Sequence, residues 1–132
     1  MSERRRRLVG SGGPWETRGG YSRAVAAGDG CWGAGTTDAG PDGRSAHPGD
    51  VAAQARAAFA IAVAALAEAG FSLQDVVRTR MFVTDVATAT GPLLEVHGEL
   101  FGEIRPAATM VEVARLIDPS LLVEIELEAH RG

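Results

Sequence analysis

The densest run of β-branched residues spans Val76 to Asp85, where Val77, Thr79, Met81 and Val83 alternate with Arg78 and Arg80, predicting a strand. The same period of two recurs from Leu121 to Ala129, with Val123, Ile125 and Leu127 on one face and Glu124, Glu126 and Glu128 on the other. Ala108 to Leu116 reads as another strand, and Ile117-Asp118-Pro119-Ser120 as the turn between the two. Near the start, Leu8-Val9 is a short apolar segment, followed by a glycine-rich loop from Gly10 to Gly20. Tyr21 to Ala27 alternates again, placing Tyr21, Arg23 and Val25 on one face. Gly28-Asp29-Gly30 then closes a hairpin with Cys31 to Thr36.

Two stretches follow the helical period instead. Val51, Ala55, Ala58, Phe59, Ala62, Ala65 and Leu66 form one apolar stripe, with Asp50 as N-cap and Gly70 as terminator. A second helix is expected from Pro92 to Gly102, with proline in its first turn. Leu93, His97, Leu100 and Ile104 share one side of it, Leu94 and Phe101 lie beside them, and Glu95, Glu99 and Glu103 form a solvated acidic row. Thr37 to Gly49 is a polar surface loop.

The order is β, β, β, α, β, α, β, β, which predicts one α+β domain over residues 1–132, with 1–20 as an N-terminal strand and loop. Two helices cover only one face of a mixed sheet of about six strands. The other face is left to water or to another subunit. Three glutamates in a row on that face require water or basic partners such as Arg78, Arg80 or Arg115.

Composition narrows the function classes. The chain has 132 residues, a net charge of −4 and a single cysteine. That balance argues against a general polyanion-binding surface, so no nucleic-acid partner is expected. The run Arg4-Arg5-Arg6-Arg7 reads as a solvated charge cluster, and the apolar residues after it are too few for a signal peptide. No segment approaches membrane-spanning length, so no membrane partner is expected. A lone Cys31 in a strand fits a reducing, cytoplasmic setting, where it serves as a buried thiol. His47, His97 and His130 share no ligand spacing, so neither a metal nor another cofactor is expected. Gly10-Ser11-Gly12-Gly13 lacks the lysine and helix of a phosphate loop.

Several segments together resemble the RidA/YjgF family, also known as endoribonuclease L-PSP-like proteins. They are Gly20-Tyr21-Ser22, Gly35-Thr36-Thr37, Asp50 with Ala53-Gln54-Ala55, Val77 to Asp85, Arg105 to Leu116, and Val123-Glu124-Ile125-Glu126. Their order and spacing carry the resemblance over almost the whole chain from Gly20 on. It implies a chorismate-mutase-like α+β fold and a homotrimer with three clefts between neighbours. It also implies hydrolysis of reactive enamines and imines derived from amino acids. In that chemistry an arginine clamps the substrate carboxylate, a glutamate on the last strand positions water, and an early tyrosine lines the pocket.

Carried onto this chain, the tyrosine falls on Tyr21 and the glutamate on Glu124, but the arginine falls on Ala108. Alanine cannot replace a guanidinium's bidentate grip, so efficient deamination of amino-acid enamines is not expected. Another guanidinium beside Glu124, from Arg105 or Arg115 for instance, would remove that argument. The expected function is water-assisted hydrolysis or related acid-base chemistry on a small, uncharged or weakly charged metabolite. Glu124 is the expected acid-base group, backbone N–H groups at Thr109 and Met110 bind a carbonyl oxygen, and His97 and Tyr21 assist. The alternative is a non-catalytic small-molecule-binding or protein-stabilising trimer. For His97 the competing role is a satisfied core histidine, and Trp15 is expected to cap a surface apolar patch.

Overall fold

The computed structural model describes residues 6–132, so Arg4 and Arg5 of the basic run lie outside the described residues. Six strands, β1 (Arg7–Val9), β2 (Ala24–Ala27), β3 (Gly30–Gly33), β4 (Val76–Val83), β5 (Ala107–Glu112) and β6 (Val123–His130), form one mixed sheet in the order β1-β2-β3-β6-β4-β5. Only β4 and β5 are parallel, as expected of strands joined by a helical crossover. The fold class read from the pattern is the one observed.

Two long helices, α2 (Val51–Glu68) and α3 (Val86–Phe101), supply the helix layer. The Asp50 carboxylate accepts from Ala53 N–H at 3.0 Å and caps α2. Ala55, Ala58, Phe59, Ala62, Ala65 and Leu66 are buried with Met81, Val83, Val123, Ile125 and Leu127 in one core. Among the described residues one helix, α2, is long and apolar enough to cross a membrane, where no segment of that length was expected. Its apolar stripe is used up against the sheet and α3.

Several boundaries differ from those expected. A short helix, α1 (Pro14–Gly19), stands in the glycine-rich N-terminal loop, with Pro14 at its start and Gly20 ending it at φ 73°. β2 begins at Ala24, so Tyr21 precedes the strand instead of opening it. α3 starts six residues before Pro92, capped by Asp85, and carries the proline inside it. Val77 is 48% exposed because a register shift between Val76 and Arg78 turns Val76 into the core in its place. On α3, Val96 is buried while Leu94 faces out.

The side of the sheet away from these helices carries Arg78, Arg80 and Phe82 of β4 directly opposite Glu128, Glu126 and Glu124 of β6. Arg80 reaches Glu128 at 2.7 Å and Glu126 at 3.5 Å, while Arg78 lies 3.9 Å from Glu128. The basic partners expected for the acidic row are therefore Arg78 and Arg80.

Candidate functional site

The site is set by a slip between strands. β3 pairs with β6 at Trp32↔Glu128, and the chain rejoins β6 at Thr36↔Ile125, one residue out of register. The extra residue bows Ala34-Gly35 away from the ladder, as bulges beside functional sites do. Gly35 then lies flat against the Glu124 side chain. A β-carbon there would collide with the carboxylate, its carboxyl carbon lying at 3.0 Å.

Glu124 is half-buried on the floor of a cleft of about 620 Å3 that is also lined by Tyr21, Arg23, Gly35, Thr37 and Ile117. Burial raises the carboxyl pKa of Glu124, the neighbouring charge of Glu126 raises it further, and Arg23 opposes both. Phe82, not a cation, stands opposite it on β4. Among the described residues no basic group is within ion-pair distance of this carboxylate, whereas Glu126 and Glu128 share Arg80.

Arg23 is the cleft residue that the sequence reading left without a role. It lies just before β2, where backbone bonds from Arg23 N–H to Val9 C=O (2.7 Å) and from Ala34 N–H to Arg23 C=O (3.0 Å) fix its position. Its Nη2 donates to the Gly35 carbonyl at 2.6 Å, and its Nε is buried without an acceptor. The expectation concerned a cation from the Ala108 segment alone; Arg23 brings a guanidinium into the cleft from another segment. The guanidinium comes from the β2 segment, not from Arg105 or Arg115, both exposed elsewhere. Alternation placed Tyr21 and Arg23 on one face, which was the available signal.

The remaining predicted residues divide by face. Tyr21 lies in the cleft with Glu124. Ala108 pairs with Thr79, whose other neighbour is Leu127, so it belongs to the helix side of the sheet. Thr109 pairs with Arg80 on the opposite face, and Met110 packs against the core. β5 is an edge strand separated from β6 by β4, about 10 Å away at the usual strand spacing. Within one chain, then, residues 108–110 do not meet Glu124.

His97 is also away from the cleft. Its Nε2 is 2.8 Å from Thr79 Oγ1, and its ring packs against Phe59 and Phe101. Burial lowers its pKa, so the neutral imidazole is favoured in this apolar setting. These contacts are those of the satisfied core histidine. Among the described residues no three His, Cys, Asp or Glu side chains cluster as a metal site.

A second layer steadies the floor. The buried Gln54 donates to His47 C=O (3.1 Å) and Ser120 C=O (3.0 Å) and accepts from Leu122 N–H (2.8 Å), tying α2 to the start of β6. The buried Asp38 accepts from Ser45 Oγ at 2.8 Å and from His47 N–H at 3.1 Å, and its Oδ2 lies 3.0 Å from His47 Nδ1, which folds the polar loop back on itself.

Residues 14–131 match the endoribonuclease L-PSP family. The crystal structure of a YjgF/YER057c/UK114 family member from Mycobacterium tuberculosis superposes with a TM-score of 0.86 at 46% identity, covering 96% of this chain and 100% of that one. An uncharacterized protein of Streptomyces coelicolor is 41% identical over 96% of this chain and 92% of its own length. The 3-aminoacrylate deaminase RutC of Acinetobacter baylyi is 39% identical over 64% of this chain and 65% of its own.

Proposed function

Because the chain belongs to the endoribonuclease L-PSP family, the RidA/YjgF proteins, we propose that it is a homotrimeric hydrolase acting on a small metabolite in the Glu124 cleft. The observation that carries this reading is the seating of Glu124 against Gly35, half-buried and without an ion pair. A carboxyl group whose pKa is raised by burial is suited to exchange protons with water and substrate. In the hydrolytic step Glu124 accepts a proton from water as the water oxygen bonds to the electrophilic carbon. The same proton then goes to the leaving group as its bond to that carbon breaks and it departs with the electron pair.

Assembly completes the site. The open sheet face exposes Trp32 and Val111, and residues 108–110 reach a Glu124 only by coming from a neighbouring subunit. From there the free edge of β5 would offer the backbone N–H of Met110 to a carbonyl oxygen, whereas that of Thr109 points into the ladder with β4. A mass in solution of three chains supports this arrangement, and a monomer refutes it.

The relative named for 3-aminoacrylate deamination makes enamines of this kind the first substrates to test. Arg23 places a guanidinium in the Glu124 cleft, so its absence at Ala108 no longer argues against these acids. Ammonia release from 3-aminoacrylate or 2-aminoacrylate, lost in Glu124→Gln, is the expected outcome, and release undiminished in that variant would overturn the role of Glu124. The non-catalytic alternative is separated by a turnover screen with Glu124→Gln as control, since a binder shows thermal shifts but no product.

A further inference from the structure

Among the described residues no ladder bond ties Ala34 or Gly35, the bow that seats Glu124, to β6. Pairing resumes only beyond it, with Thr36 N–H to Ile125 C=O at 2.8 Å and Ile125 N–H to Thr36 C=O at 2.9 Å. The groups in between are held from the side. Ala34 N–H donates to Arg23 C=O at 3.0 Å, and Ala34 C=O accepts from Thr36 Oγ1 at 2.9 Å. Gly35 C=O accepts from Arg23 Nη2 at 2.6 Å, and among the described residues no other donor reaches it. Arg23 thus grips the bow twice, through its own carbonyl and through its guanidinium.

The guanidinium is committed to this contact. Its Nε is enclosed by the protein without an acceptor, which costs free energy, so the side chain is drawn into the wall by what its far end secures. Gly35 in turn lies flat against the carboxyl group, where a β-carbon would meet the carboxyl carbon at 3.0 Å. We propose that Arg23 is a positioning residue for Glu124, acting through the Gly35 carbonyl to hold the bow against the carboxyl group. The inference rests on reading Glu124 as the group that exchanges protons with water and substrate. Positioning of this kind acts on rate more than on affinity.

Charge and position act on Glu124 in opposite directions, which makes them separable. Burial and the Glu126 charge raise its pKa, the Arg23 charge lowers it, and the residue facing it from β4 is the uncharged Phe82. Removing the Arg23 charge alone therefore raises the pKa further. Releasing the bow lets the carboxyl group turn to water, and the pKa falls toward the usual glutamate value.

Arg23→Met keeps most of the side-chain length and removes both charge and donor. Carboxyl-carbon NMR of the glutamate-labelled full chain is expected to show Glu124 titrating lower in this variant than in the parent. An upward shift would mean that Arg23 acts as a charge alone, and no shift that it is remote from Glu124; either overturns the proposal. Arg23→Lys keeps the charge but ends one bond short of Gly35 C=O, so a smaller downward shift is expected. An unchanged value there also overturns the proposal, and this variant decides if circular dichroism shows the methionine variant unfolded. Ammonia release from 2-aminoacrylate gives a second readout. In Arg23→Met kcat is expected to fall about tenfold or more with KM held within about threefold, and the acid limb of kcat/KM to move to lower pH along with the NMR value. A loss confined to KM would make Arg23 a ligand contact and overturn positioning. In a Gly35→Ala background Arg23→Met is expected to add little, since Glu124 is already unseated; full multiplication of the two losses would overturn the route through Gly35. A downward titration shift in a parent that turns nothing over refutes the hydrolase reading alone. Parental turnover and Glu124 titration in Arg23→Met refute this inference alone.

Discussion

Replacing Gly35 with alanine separates the seating of Glu124 from its identity. The new β-carbon would press on the carboxyl group, with the carboxyl carbon at 3.0 Å and Cγ at 3.5 Å. Gly35 is not among the residues with positive φ, so alanine meets no backbone strain there. The obstacle is the far end of a flexible side chain, which can turn away from the strand. Overpacking a close contact typically costs about 1–3 kcal/mol, and a half-buried chain free to swing belongs near about 1 kcal/mol. In a domain of this size that lowers Tm by about 3–5 °C.

The larger effect is on the proton. A carboxyl group turned out to water loses the burial that raises its pKa, so Glu124 in Gly35→Ala titrates closer to the usual glutamate value. Carboxyl-carbon NMR of glutamate-labelled protein reads this directly. Because the folded pKa is raised, the stability contributed by protonated Glu124 is complete below the unfolded value and is lost as pH rises through the folded one. The parent suffers that loss as pH rises and the variant largely escapes it, so the destabilisation by Gly35→Ala is greatest at acid pH. A folded variant whose Glu124 titrates as in the parent would refute the seating argument.

Four other perturbations test the frame. Thr79→Val leaves His97 Nε2 without its partner and is expected to cost about 1–2 kcal/mol in urea unfolding. The depressed His97 pKa contributes stability that is present above the unfolded histidine pKa and is lost as pH falls through the folded value; His97→Phe should flatten that part of the pH–stability curve. Gln54→Ala removes three buried hydrogen bonds and is expected to cost about 3 kcal/mol, with faster amide exchange at Leu122 as the local sign. Phe82→Arg places a cation opposite Glu124 and should lower its pKa in the same NMR titration; an unchanged value would contradict the observed register.

Strong periodicity made the sheet and the first long helix legible, because burial on one face leaves a direct mark on residue order. Pro92 hid the start of α3, since a proline reads as a first-turn residue when its neighbours are apolar. Asp85, the cap seven residues before Pro92, is the stop-start signal that the proline outweighed. α1 was hidden by the glycines around Pro14, although proline followed by Glu16 is a legitimate helix opening. The two register shifts were invisible, because a bulge is a relation between strands and leaves no period in either one. Arg23 was missed for the same reason: only the slip at Gly35 brings its guanidinium and Glu124 into one cleft.

The meaning of Glu124 comes from its place in a ladder, more than from its type. Three glutamates alternate along β6, and β4 answers them in order with Arg78, Arg80 and Phe82. The first two positions form a charge network that neutralises Glu126 and Glu128. At the third the cation is replaced by a phenyl ring, so the carboxyl group is desolvated without being paired. Burial without a paired cation favours the protonated form of a carboxyl group, and that is the direction in which Glu124 is shifted. The helix face makes the complementary choice, keeping its one histidine neutral against Thr79 and two phenylalanines. Burial thus acts in opposite directions on the two faces, raising the Glu124 pKa on the open side and lowering that of His97 on the helix side.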